Sequence, residues 1–188
     1  MPDWIGGLSN NFRYKNIGFS FLLDIRQGGM IFSNTLREGL TYGTIKKTLA
    51  GRDGSYVAEG VAASKDASGK WVSTGAKNTK TVSAQNYWNT VATDKDNLVS
   101  REMINDASYV SVREMNLSYQ LPAGLTKGTF IRKASIGLYG RNLFYLERHT
   151  DGFAPEAASF NINNSSLGLE STSLPMMRNI GIRANLEF

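Results

Sequence analysis

Apolar and polar residues alternate with period two in several stretches of this chain. From Asn179 to Phe188, Ile180, Ile182, Ala184, Leu186 and Phe188 alternate with Asn179, Gly181, Arg183, Asn185 and Glu187. Residues two apart share one face of a strand, so this stretch predicts a strand with one apolar and one polar face. The same pattern runs over 17–26, where Ile17, Phe19, Phe21, Leu23 and Ile25 oppose Gly18, Ser20, Leu22, Asp24 and Arg26. Met115, Leu117, Tyr119 and Leu121 alternate with Glu114, Asn116, Ser118 and Gln120, until Pro122 ends the strand. Ala134, Ile136 and Leu138 alternate with Lys133, Ser135, Gly137 and Tyr139. A weaker strand runs from Trp4 to Tyr14, with Leu8, Phe12 and Tyr14 in phase. About five strands are predicted, at roughly 4–14, 17–27, 109–121, 131–143 and 179–188.

The links between them are unequal. Lys15-Asn16 reads as a tight hairpin turn, and the link from Pro122 to Phe130 is short and punctuated by Pro and Gly. The other two links, about 27–107 and 144–177, are long and rich in Gly, Ser, Asn and Thr. Compact soluble domains rarely hold structureless loops of that size. Within the first loop, Ile31 to Leu40 has helical spacing, and Ser83-Ala84-Gln85-Asn86-Tyr87-Trp88 could open a second helix. Strict alternation of short and long links is the mark of an outer-membrane barrel, with short periplasmic turns and long external loops. A strand of about ten residues, tilted by ~45°, spans about 23 Å, close to the ~25 Å apolar band of such barrels. If Phe188 ends at the periplasmic side, both long loops fall outside and both short turns inside. The predicted fold is therefore all-β: an antiparallel, up-and-down transmembrane β-barrel segment with two long extracellular loops.

Composition removes several kinds of chemistry. The 188 residues contain no cysteine, which excludes disulfides, thiolate metal sites and a thiol nucleophile. One histidine, His149, leaves little for a triad or a His-rich metal site. The formal net charge of +5 is spread without a basic run, so no nucleic-acid partner is expected. No stretch reaches the roughly 18 apolar residues of a spanning helix. The opening Met1-Pro2-Asp3-Trp4-Ile5-Gly6-Gly7 lacks signal-peptide regions and reads as a cut through a longer chain.

Catalytic motifs are poor. The stretch Ser64-Lys65-Asp66-Ala67-Ser68-Gly69-Lys70 misses the phosphate-loop pattern, because Ser64 stands where its first Gly is required and Trp71 where Ser or Thr is. Asp94 and Asp96 have calcium-loop spacing, but Leu98 occupies the next ligand position. His149, beside Arg148 and Asp151, has no nucleophile elbow to serve. No metal, cofactor or catalytic residue is assigned, and the chain is expected not to be an enzyme. In the long loop, Trp71, Tyr87 and Trp88 are candidates for substrate or partner contact, since aromatics supply large contact area. The plainer alternative is that they anchor the loop onto itself or the barrel rim. Arg13, Asp24, Arg26, Lys133, Arg141, Arg183 and Glu187 fall on polar faces and are expected to face the lumen, either contacting a plug or solvating the wall.

Several motifs, in order, resemble a known family. Trp4-Ile5-Gly6-Gly7-Leu8-Ser9-Asn10 with Phe12-Arg13-Tyr14 is followed by Asp24-Ile25-Arg26-Gln27-Gly28-Gly29-Met30-Ile31-Phe32. Asp106-Ala107-Ser108-Tyr109-Val110-Ser111-Val112-Arg113-Glu114 continues through Met115-Asn116-Leu117-Ser118-Tyr119-Gln120-Leu121-Pro122, and Tyr139-Gly140-Arg141-Asn142-Leu143 precedes the closing strand. Together they resemble the late barrel strands of SusC/RagA-type TonB-linked outer-membrane proteins of Bacteroidetes. The resemblance implies that residues 1–188 are the C-terminal part of a TonB-dependent importer whose barrel has about 22 strands, with plug, TonB box and earlier strands lying outside this chain. It implies outer-membrane location, glycan or peptide uptake, a SusD-like surface lipoprotein as partner, and TonB acting through the plug. Phe188 resembles the terminal aromatic read by the barrel assembly machinery, and its phase also turns it to outer-membrane lipid. Two other readings stay open: a soluble β-sandwich binding module, and an outer-membrane barrel enzyme requiring a Ser/His pair at the rim.

Overall fold

The computed structural model describes residues 1–95, 98–156 and 168–188. Asp96 of the calcium-like spacing and part of the second long loop lie outside them. The chain forms two compact units, Met1–Ile31 with Asn105–Phe188, and Phe32–Ile104.

The first unit opens with β1 (Trp4–Tyr14) and β2 (Ile17–Gln27), joined at Lys15-Asn16, where Lys15 takes a positive φ of 52°. The chain leaves through β3 (Met30–Ser33) into α1 (Asn34–Tyr42), a 3-10 turn at Lys46–Leu49, β4 (Tyr56–Val57), β5 (Val61–Lys65) and β6 (Trp71–Lys77). It continues through β7 (Thr81–Val82), α2 (Ala84–Thr93) and a 3-10 turn at Ser100–Met103, and returns along β8 (Ile104–Asp106). Then come β9 (Tyr109–Gln120), the short α3 (Ala123–Thr126), β10 (Lys133–Arg148), β11 (Leu169–Glu170) and β12 (Asn179–Glu187). All five expected strands are present, and they form one antiparallel sheet in the order β1-β2-β9-β10-β12. The fold is all-β and antiparallel as predicted, but the sheet is open, ending on β1 and β12. β10 runs to Arg148, five residues past its expected end at 143, so the second long loop begins later than the alternation suggested.

Register makes this sheet two-faced. Phe12, Phe19, Leu117, Leu138 and Ile182 stand in one row across the five strands, and Tyr14, Ile17, Tyr119, Ile136 and Ala184 in the next. Phe12, Phe19 and Phe21 pack ring against ring at 6.0–6.3 Å. This face is uncovered, with Ile180 72% and Ile182 73% exposed. The rows between are polar, such as Asn11, Ser20, Asn116, Tyr139 and Gly181. On that face the Tyr139 ring lies over Gly181, where a Cβ would meet ring atoms at 2.6–2.7 Å, so only glycine fits beneath it.

The second unit, Phe32–Ile104, falls within the first long loop and carries secondary structure of its own. Both suggested helices form, each from a serine N-cap: Ser33 accepts from the Leu36 amide and Ser83 from the Asn86 amide. Gly43, at φ 69°, closes α1 in the left-handed conformation. Leu40, Ala84, Trp88, Val91, Ala92 and Met103 are buried together as this unit's own core. β5 and β6 form a hairpin whose turn is held by Asp66, which accepts from the Ser68 hydroxyl and the Ser68 and Lys70 amides. The stretch that failed as a phosphate loop is thus a carboxylate-pinned turn, and these bonds hold the Asp66 carboxyl below its usual range.

Candidate functional site

The polar face carries all seven charged residues expected to share it. Arg13 pairs across β1–β2 with Gly18, on the same face as Asp24 and Arg26. Lys133, Arg141, Arg183 and Glu187 occupy the polar rows of β10 and β12. Two cross-strand ion pairs form there: Lys133 Nζ lies 3.1 Å from Glu187 Oε2, and Arg141 Nε 3.1 Å from Glu114 Oε1. The Arg183 guanidinium sits 5.4 Å from the centre of the Tyr139 ring, a cation–π contact. These residues are spread along the face rather than gathered.

The gathered site lies farther along, where β2, β9 and β10 approach their loop ends. It depends on a register break. Leu22 pairs with Glu114 but Leu23 pairs with Val112, so Arg113 is an extra residue in β9. A bulge of this kind shifts the phase of the strand by one. Glu114, Asn116 and Ser118 belong to the polar face on one side of the break, and Tyr109 and Ser111, opposite Arg26 and Asp24, on the other. Opposite the bulge, β10 has its own irregularity at 142–143, where Asn142 adopts a positive φ of 50°. Without the break, Val110 and Val112 would turn to the polar side.

The bulge delivers Arg113 between two carboxylates. Its Nε and Nη2 donate to Asp24 Oδ2 at 2.8 and 2.6 Å, and Nη2 lies 2.7 Å from Glu156 Oε1 as an ion pair. The Tyr109 hydroxyl donates to Asp24 Oδ2 at 3.0 Å, and the Tyr145 hydroxyl to Glu156 Oε2 at 2.7 Å. The two tyrosine rings meet edge to face at 6.1 Å, and Arg148 stacks 5.2 Å from the Tyr145 ring. Glu156 thereby fastens the segment after β10 onto the strand face. Beside the cluster opens a pocket of about 700 Å³, lined among others by Arg113, Arg148, Phe153, Met176 and Arg178. Arginines over an aromatic and thioether wall suit a polar ligand carrying oxygen acceptors. Of this cluster only Asp24 was expected from sequence; Tyr109, Arg113, Tyr145 and Glu156 were not. The usable signal was Arg113-Glu114 itself, adjacent charges at the point where Tyr109, Ser111 and Arg113 change phase with Glu114 and Asn116.

His149 lies just beyond β10. Its Nε2 is 2.8 Å from Glu147 Oε1 and its Nδ1 3.9 Å from Asp106 Oδ2. The hydrogen bond to Glu147, aided by the charge of Asp106, raises the imidazole above its ordinary value. Asp106 is itself held low, chiefly by bonds from the Ser108 hydroxyl and amide. Among the described residues no serine hydroxyl is within hydrogen-bond reach of His149.

The three loop aromatics separate. Trp88, expected as a contact candidate, is 4% exposed in the core of the second unit. Tyr87 packs against it and against Tyr56, at 4.9 and 4.8 Å, and burial raises its hydroxyl pKa. Trp71, on the β5–β6 hairpin, is 60% exposed with Lys65 Nζ 5.2 Å from its ring. Phe188 stacks on Phe130 at 5.5 Å.

No family model matches the chain. TonB-dependent receptor P3 of Formosa agariphila is 24% identical over the whole chain, which spans 16% of that protein. The RagAB peptide importer superposes in its open-open state with a TM-score of 0.57 at 16% identity, covering 100% of this chain and 17% of that one. In its closed-closed state the TM-score is 0.58 at 18% identity, covering 98% and 17%. The chain thus spans about a sixth of the length of the relatives it matches. The motifs resemble those of SusC/RagA-type proteins, and the comparisons point the same way: the whole chain is similar to one part of a TonB-dependent receptor and shares the fold of one part of the RagAB importer.

Proposed function

We propose that the chain is the C-terminal part of the wall and external loops of a TonB-dependent outer-membrane importer of glycans or peptides. The observation that carries this reading is the two-faced sheet, apolar and uncovered on one side and lined with charges and hydroxyls on the other. Such a sheet suits a wall between lipid and an aqueous lumen. The apolar face would meet outer-membrane lipid. Arg13, Asp24, Arg26, Lys133, Arg141, Arg183 and Glu187 would face the lumen, and β1 and β12 would each pair with a further strand of the complete barrel. The pocket beside Arg113 would lie on the external side and contact passing solute, and Trp71 would be offered to solute or partner. TonB would act through a plug outside this chain, and a SusD-like lipoprotein would cap the external loops. Phe188 would serve recognition by the barrel assembly machinery. No catalytic role is proposed. A soluble sandwich would need a second sheet over the apolar face, and the exposure of Ile180 and Ile182 speaks against one.

The reading is tested by deleting the gene for the full-length receptor. Loss of uptake of one class of oligosaccharide or peptide, restored only in a strain with functional TonB, is expected. Uptake of every such solute unaffected by the deletion would contradict it.

A further inference from the structure

We infer that the second unit holds a binding pocket for small carboxylates, separate from the Arg113 cluster and independent of the import reading. The pocket, about 390 Å³, lies between α1, the 3-10 turn at Lys46–Leu49 and the start of α2. Leu40, Ala84 and Trp88 form its apolar wall, with Thr41 and Gln85 as polar lining. Among the described residues that line it, Arg52 is the one that carries a charge. Its position is set by the fold: Nη2 donates to the carbonyl of Gly43, the left-handed residue that ends α1, and lies 3.0 Å from Thr48 Oγ1. Thr48 is itself 3% exposed and donates to the Ile45 carbonyl at 2.7 Å. A guanidinium anchored through one nitrogen keeps its other donors in a fixed plane, which favours paired recognition of a carboxylate. Among the described residues no carboxylate lines the pocket to neutralise it. Volume and mixed lining fit a ligand of dipeptide or sugar-acid size.

The experiment uses the full chain folded in detergent, with Trp4→Phe and Trp71→Phe leaving Trp88 as the single tryptophan emitter. Both replaced residues are more than half exposed, at 51% and 60%. N-acetyl-dialanine and galacturonate are titrated beside their uncharged counterparts, N-acetyl-dialaninamide and galactose. A saturable change in Trp88 emission with one or both carboxylates, and none with the neutral pair, is expected, and whichever acid binds tells a peptide terminus from a sugar acid. Arg52→Gln should weaken that binding at least tenfold while Arg52→Lys loses less, with the melting of both variants unchanged within a few degrees. Equal response to the neutral counterparts, no response to either acid, or undiminished binding in Arg52→Gln would overturn the inference.

Discussion

At the scale of single residues, Arg113 connects most of the site. It joins β9 to Asp24 of β2 and to Glu156 beyond β10, and its side chain is only 17% exposed. Removing one member of such a network leaves the others partly desolvated and unpaired. Arg113→Met should therefore destabilise the first unit by about 1–3 kcal/mol, a range discounted for the partial exposure of Asp24. Denaturant unfolding in detergent measures it, and Asp24→Asn, which keeps an acceptor, should cost less. Arg113 could not be placed by simple alternation, because extending the phase of Glu114 and Asn116 backwards assigns Val112 and Val110 to the polar side. A bulge is a local insertion that periodicity cannot see, whereas two adjacent charges are visible once one is suspected. Glu156 was out of reach for another reason: nothing local ties a loop carboxylate to a distant strand. His149 gives a pH-dependent expectation. Its folded pKa is raised, so its contribution to stability is fully present below the ordinary histidine value of 6.5 and is lost as pH rises through the raised value. An NMR titration of this single histidine should show a midpoint above 6.5, and Asp106→Asn should move it down.

Elements were legible in proportion to how strongly one face is dictated. The five sheet strands declared themselves because each must present apolar residues to one side and polar residues to the other. The two helices were marked by serines ahead of apolar spacing, at Ser33 and Ser83, but the loop composition around them diluted the signal. The β5–β6 hairpin escaped, since β6 is exposed along its whole length and neither face demands a pattern. Caps of this kind contribute about 1 kcal/mol each. Ser83→Ala should loosen α2 by that amount, which hydrogen exchange would read as weaker protection of the amides from Trp88 to Ala92. Exchange in β9 and β10 should not change, because they belong to the other compact unit.

At the scale of the whole molecule, the open sheet explains both what the chain resembles and what it needs. A face bearing Phe12, Phe19, Leu117, Leu138 and Ile182 in a row cannot stay in water without association, and the sheet ends on two strands with no further partner in the order. Expressed alone, the chain should remain monodisperse only with detergent; a cooperatively melting monomer in plain buffer would restore the soluble module. The central claim, that one face meets lipid and the other water, is tested most directly by spin-label accessibility. The chain has no cysteine of its own, so once any cysteine elsewhere in the full-length protein is replaced, labels can be placed singly in bilayers, at 138 and 182 on one face and at 139 and 183 on the other. High oxygen and low nickel-chelate accessibility at Leu138→Cys and Ile182→Cys, with the opposite at Tyr139→Cys and Arg183→Cys, is the predicted result. Equal accessibility at neighbouring positions, or lipid contact at Arg183→Cys, would contradict it.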